Sequence, residues 1–166
     1  QSQVSHVISR IENLQRLELS ASVHCSKANS LIRTFRQLPP FLTSPPPNFK
    51  VNRKFNDAIN SILNSIDHLT QLCIQCSRES CSQFILMTTL HEVFERFLEI
   101  RQNMQRDLQT IGLNEAAELF VCSPDELLSQ DQVDLKLIGI FIMQMRQRKD
   151  IAKRAEIGRA SCRERV

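Results

Sequence analysis

Tryptophan and tyrosine are absent from these 166 residues, and glycine occurs only three times. Strands draw on aromatic and β-branched side chains, so a sheet has little to work with and the composition favours helices. Long apolar runs are missing too: the longest, Leu137 to Met143, falls far short of the roughly 18 residues of a membrane span. No signal-peptide pattern is present. There is no glycine-rich phosphate loop, no G-x-S-x-G and no H-E-x-x-H, so nothing in the chain suggests an enzymatic site or a bound cofactor. A formal net charge of +3 is close to neutral for this length and argues against nucleic acid as a partner.

What is present is helical periodicity, clearest from Asn52 to Cys76. There Phe55, Ala58, Ile59, Ile62, Leu63, Ile66, Leu69, Cys73 and Cys76 keep three-and-four spacing and share one face. The intervening Asn, Ser, Asp and His residues are weak helix formers, so burial of that face has to make the helix. Upstream, apolar residues from Val4 to Leu38 keep the same spacing with an irregular step near Leu14. They predict one long helix, or two joined by a kink around Leu17 to Ser20. Pro39 and Pro40 are expected to end it. Phe41 to Lys50, with Pro45, Pro46 and Pro47, reads as a stiff extended connector whose Phe41, Leu42 and Phe49 fold onto the end of a bundle; as a polyproline ligand the triplet lacks close basic flanks.

After the central helix, Ser77 to Ser80 breaks the pattern, and the state of Cys81 to Met87 stays open. Thr89 to Glu92 is a capping box. The helix it opens is expected to bury Leu90, Val93, Phe94, Phe97, Leu98, the stem of Arg101, Met104, Leu108 and Ile111, and to stop at Gly112. Asn114 caps a short helix to Val121. Ser123-Pro124-Asp125-Glu126 is a second start signal, from which Leu127, Leu128, Val133, Leu137, Ile138, Phe141 and Met145 can share a face. A break near Gln130 with Asp131 as a new cap is the alternative.

Two further signals carry opposite weights. Cys73 and Cys76 form a C-x-x-C, but no second pair or histidine pair follows at ligand spacing, and both lie on the core face, so they read as buried apolar side chains and no metal is expected. His6, His24, His68 and His91 are scattered and have no catalytic partners in sequence. Arg146, Arg148, Lys149, Lys153 and Arg154 form a basic cluster against Asp150 alone. The plain reading is a solvated helix end that complements the helix dipole; the sharper one is contact with an anionic lipid surface or a partner.

The last eleven residues read EIGRASCRERV, which looks like an in-frame translation of a sequencing-library adapter. On that reading residues 156–166 stand outside the fold, and the natural reading frame continues past Ala155. Five cysteines then remain, an odd number that fits a reducing, cytoplasmic compartment better than a disulfide framework.

The runs VHCSKANSLIRTFRQLPPFL, FNDAINSILNSIDHLTQL and SRESCSQFILMTTLHEVFERFLEIRQNMQRDLQTIGL together resemble the amino-terminal helical bundle of mixed lineage kinase domain-like proteins and of related bundles that precede tyrosine-kinase-like group kinases. In helix order they also resemble the amino-terminal four-helix domain of the Cbl adaptors. The likeness covers about Val4 to Leu113, with Ser123 to Arg148 in the place of brace helices. It implies a non-catalytic regulatory or adaptor bundle in cytoplasmic signalling, placed before a kinase or pseudokinase domain. Implied partners are other proteins, its own kinase domain or a second copy, and the alternative is a peripheral bundle acting on anionic membranes. Arg10, Arg16, Lys27, Arg33 and Arg36 are thinly spread, unlike the basic patches of that family, so no functional residue carries over. The expected architecture is all-α: an up-down four-helix-type bundle over 1–113, brace helices and linker over 114–155, and the adapter-like tail.

Overall fold

The computed structural model describes residues 2–18, 24–44, 51–77 and 90–164. Every regular element among them is helical: α1 Ser2–Leu14, followed by a 3-10 turn Gln15–Leu17, then α2 Cys25–Arg36, α3 Pro39–Thr43, α4 Arg53–Cys76, α5 Leu90–Thr110, α6 Asn114–Glu118 and α7 Pro124–Glu164. α4 is the centre. Its longest packing is on α5, and α1 and α2 lie against it as well.

Asn52 starts α4 by accepting a hydrogen bond from the Phe55 backbone N–H at 3.0 Å, which satisfies one of the free donors of a helix start. From there Phe55, Ala58, Ile59, Ile62, Ile66, Leu69, Cys73 and Cys76 are buried, as their spacing predicts. Leu72 and Ser65 join them, and Leu63 is only half-buried. The core continues through Val7, Ile11 and Leu14 of α1, Leu31, Ile32 and Phe35 of α2, and Val93, Phe97, Met104 and Leu108 of α5. Phe35 meets Phe120 edge to face, ring centres 5.0 Å apart, closing the end of the core next to α6. Burial of this kind is worth roughly 1.5 to 3 kcal/mol per large side chain, enough to offset the poor helix formers along α4.

The opening periodicity is two helices, one of the two readings it allows: α1 and its 3-10 turn end at Leu17, and α2 starts after His24, which stands in the left-handed region at φ 67°. Two expectations are corrected. Pro39 and Pro40 do not end helical structure: α2 has already stopped at Arg36, and the prolines occupy the first positions of α3, where their missing N–H groups cost nothing. The connector is thus helical at its start, with Leu42 buried and Phe41 packed on the core. Asn114 is the first residue of α6 and not its cap; Leu113 takes that position without a side-chain bond. Gly112 does terminate α5, at φ 85°, a conformation glycine reaches without strain. The Thr89 capping box, the Cys81 to Met87 stretch, Phe49 and the proline triplet fall outside the described residues.

α7 runs unbroken from Pro124 to Glu164, with no new start at Asp131. Ser123 begins it, accepting from the Glu126 N–H at 3.1 Å.

Candidate interaction site

Among its described side chains, those that α7 buries against α2 and α5 are polar; Leu127, Leu128 and Phe141 of the expected apolar face lie outside the described side chains. Glu126, Gln130 and Asp134 recur every four residues and so lie along one side of the helix. Gln130 and Asp134 are buried, the latter only 1% exposed. Val133, expected to be in the core, is exposed, and Leu137 and Ile138 are half-buried.

Asp134 is the tightest point. One carboxylate oxygen accepts from the His24 backbone N–H at 2.9 Å, and the other accepts from the Lys27 ammonium and lies 3.7 Å from His24 Nδ1. No side chain of α2 caps that helix itself. A carboxylate from α7 therefore sits where the α2 N-terminus wants negative charge, a cap supplied by a different helix. Lys27 is equally buried and lies over the Phe94 ring at 5.2 Å, so its ammonium meets a carboxylate on one side and a π face on the other. His24 is fully buried, its ring 5.9 Å from that of Phe97.

A second tie lies two turns earlier. The Ser30 hydroxyl donates to Glu126 Oε1 at 2.8 Å and accepts from Arg101 Nη2 at 3.1 Å. Gln130 Nε2 also donates to Glu126, at 3.3 Å. The stem of Arg101 is buried as expected, and its guanidinium turns out to serve this seam.

Past the seam α7 leaves the bundle. Every described side chain from 139 to 160 is exposed, including Ile140 at 51%, Met143 at 61% and Ile151 at 64%. Arg146, Arg148, Lys149, Lys153 and Arg154 all stand on this projecting part, away from the seam. The five basic residues thus stand exposed on one helix, spread around it, beside an apolar stretch that the described residues of the bundle do not cover. Sequence reading missed the seam because it sought an apolar face; the four-residue repeat of Glu126, Gln130 and Asp134 was the available signal.

The cysteines carry no comparable geometry. Burial pushes the Cys73 and Cys76 thiols up to about 12, so they are protonated at neutral pH. Among the described residues no group of three or more His, Cys, Asp or Glu side chains is placed to hold a metal ion. A cleft of about 340 Å³ between Phe41 and the α5–α6 turn is lined by one ionisable side chain, Glu115, among the described residues. No described helix is long and apolar enough to cross a membrane. No protein-family model, curated protein or solved structure matches the chain.

Proposed function

We propose that this chain is a non-catalytic regulatory or adaptor bundle of a cytoplasmic signalling protein, and that α7 is the element through which it engages partners. The long helices α1, α2, α4 and α5 form the bundle, read as up-down and four-helix in type; α7 is the brace. The observation that carries the reading is the contrast within α7. Its first part is tied down by buried charges, and its second part offers uncovered apolar and basic side chains to a partner. The described buried contacts of α7 are ion pairs and hydrogen bonds, which can part without emptying the described core.

The resemblance to bundles placed before tyrosine-kinase-like kinases extends the proposal to a kinase or pseudokinase domain downstream of Ala155. Recovery of the downstream reading frame tests it. A glycine-rich loop followed by a V-A-I-K-like lysine is the expected result, and a stop codon soon after Ala155 would overturn it.

A second reading, contact with anionic membranes, is favoured by the exposure of Arg146, Arg148, Lys149, Lys153 and Arg154 next to apolar side chains. Each such residue near an anionic surface contributes about 1 kcal/mol. Flotation with phosphatidylserine vesicles separates the two. Binding that disappears when these five charges are reversed supports the membrane reading, and equal binding by the reversed variant removes it.

A further inference from the structure

Across the described seam the bundle donates and α7 accepts. The His24 backbone N–H and the Lys27 ammonium give to Asp134, and the Ser30 hydroxyl gives to Glu126. The Arg101 guanidinium also stands 3.9 Å from Glu126. Lys27 and Arg101 are buried, 3% and 6% exposed, on the packed helices α2 and α5. Two cations are thus held out of water against acids that both belong to one helix outside the core. Lifting α7 takes both carboxylates away, and the strip it uncovers on α2 and α5 keeps its cations and its N–H donors. Such a strip attracts acid in their place, because the cations are favourable there only when paired.

The spacing of the two seats says what shape of acid fits them. Glu126 and Asp134 are eight residues apart on one side of a helix, a rise of about 12 Å. α7 runs antiparallel to α2, since Glu126 meets Ser30 while Asp134 meets His24 and Lys27. Gln130 fills the ground between the seats, where a gap of only about 10 Å³ remains beside Lys27, Phe94, Phe97 and Arg101. A small anion reaches one seat and leaves the other. A helix with acids at the same step reaches both.

We propose that this strip of α2 and α5 is a binding site for an acidic helix of another protein, and that Glu126 and Asp134 occupy it as an internal stand-in. The ligand helix carries two carboxylates eight residues apart with an uncharged side chain midway, and it lies antiparallel to α2. Its second acid takes the α2 N-terminus and Lys27, as Asp134 does, and its first takes Ser30 and Arg101, as Glu126 does. Docking of α7 and binding of the ligand exclude one another, so the ligand sets the projecting helix free. An apolar helix is rejected at the same place, because it would bury both cations with no acid to meet them.

This inference rests on reading α7 as detachable, and the test separates the two. The probe is a synthetic peptide with the sequence of residues 123–138, labelled with heavy isotopes so that its fragments are told apart by mass. The full chain carrying Glu126→Ala and Asp134→Ala should bind it in calorimetry. A peptide with glutamine and asparagine in place of those two acids should bind about thirtyfold more weakly or worse. Adding Lys27→Met and Arg101→Met to the chain should weaken the intact peptide as much. The unsubstituted chain should bind less tightly than the opened one, because its own tethered α7 competes. At saturation its residues 124–138 should exchange faster while α4 stays slow, a measurement that holds even if the double variant does not fold. Equal binding of the amide peptide, or the same release of α7 by inorganic phosphate at matched concentration, would overturn the acidic helix as ligand. If the opened chain frees residues 124–138 yet takes up no peptide, the site fails and the reading of α7 as detachable stands. If residues 124–138 exchange as slowly as α4 even in the opened chain, both fail.

Discussion

Asp134→Ala is the sharpest perturbation this fold offers. It removes the carboxylate beside the Lys27 ammonium and the acceptor for the His24 N–H, both in places closed to water. Removing one partner of a buried ion pair costs about 3 to 5 kcal/mol when the remaining charge has to stay buried. Here it does not have to stay buried. Lifting the first part of α7 re-exposes Lys27, so the loss is limited to the free energy that holds residues 124–138 on the bundle. The expected result is local: hydrogen exchange speeds up over residues 124–138, exchange in α4 stays slow, and far-ultraviolet circular dichroism changes little. The double change Lys27→Met with Asp134→Asn should restore protection, because the amide oxygen still accepts from the His24 N–H and no unpaired charge is left buried. Exchange over 124–138 that Asp134→Ala leaves unchanged, with a stability change under about 0.5 kcal/mol, would refute the reasoning.

Three further outcomes are expected. Ile62→Asp puts a carboxylate into a fully buried position of α4 and should cost more than about 4 kcal/mol; a soluble variant with native helicity would misplace the core. With thiols at about 12, Cys73 and Cys76 carry roughly one thiolate in ten thousand at pH 8, so iodoacetamide should label half-buried Cys25 and Cys122 before either of them, and earlier labelling of Cys73 would contradict the burial. Burial raises the Asp107 carboxyl above its ordinary value, against weaker opposing effects of Ser61 and Arg106. The folded state then binds a proton more tightly than the unfolded one, and stability falls as pH rises from the ordinary carboxylate range through the raised value. Asp107→Asn should flatten that fall and stabilise the protein at neutral pH, as urea midpoints at pH 4 and 7 would report.

The helices were legible wherever one residue type decides the local backbone or one face is buried throughout. Ser123 before Pro124, Gly112 after α5 and the stripe from Phe55 to Cys76 are such cases. Pro39 and Pro40 were misread because proline is unfavourable inside a helix yet suited to its first turn, and only tertiary packing tells which applies. Asn114 looked like a cap, but the backbone had already turned at Gly112 and Leu113. The site was half legible. The basic cluster from Arg146 to Arg154 is plain in sequence and is exposed on the projecting helix. The seam that holds that helix joins residues more than a hundred positions apart, Lys27 with Asp134, and a polar stripe gives no hydrophobic signal to follow. His24 was equally opaque, since its left-handed backbone and its contact with a distant carboxylate leave no local mark.

The central claim is that α7 is held on the bundle by its polar seam and is otherwise free of it. Hydrogen exchange of the unsubstituted chain in dilute solution tests that claim directly. Residues 139–160 should exchange fastest, 124–138 at an intermediate rate and α4 slowest. Protection of α7 equal to that of α4 along its whole length would mean that the helix belongs to the core, and would contradict the account.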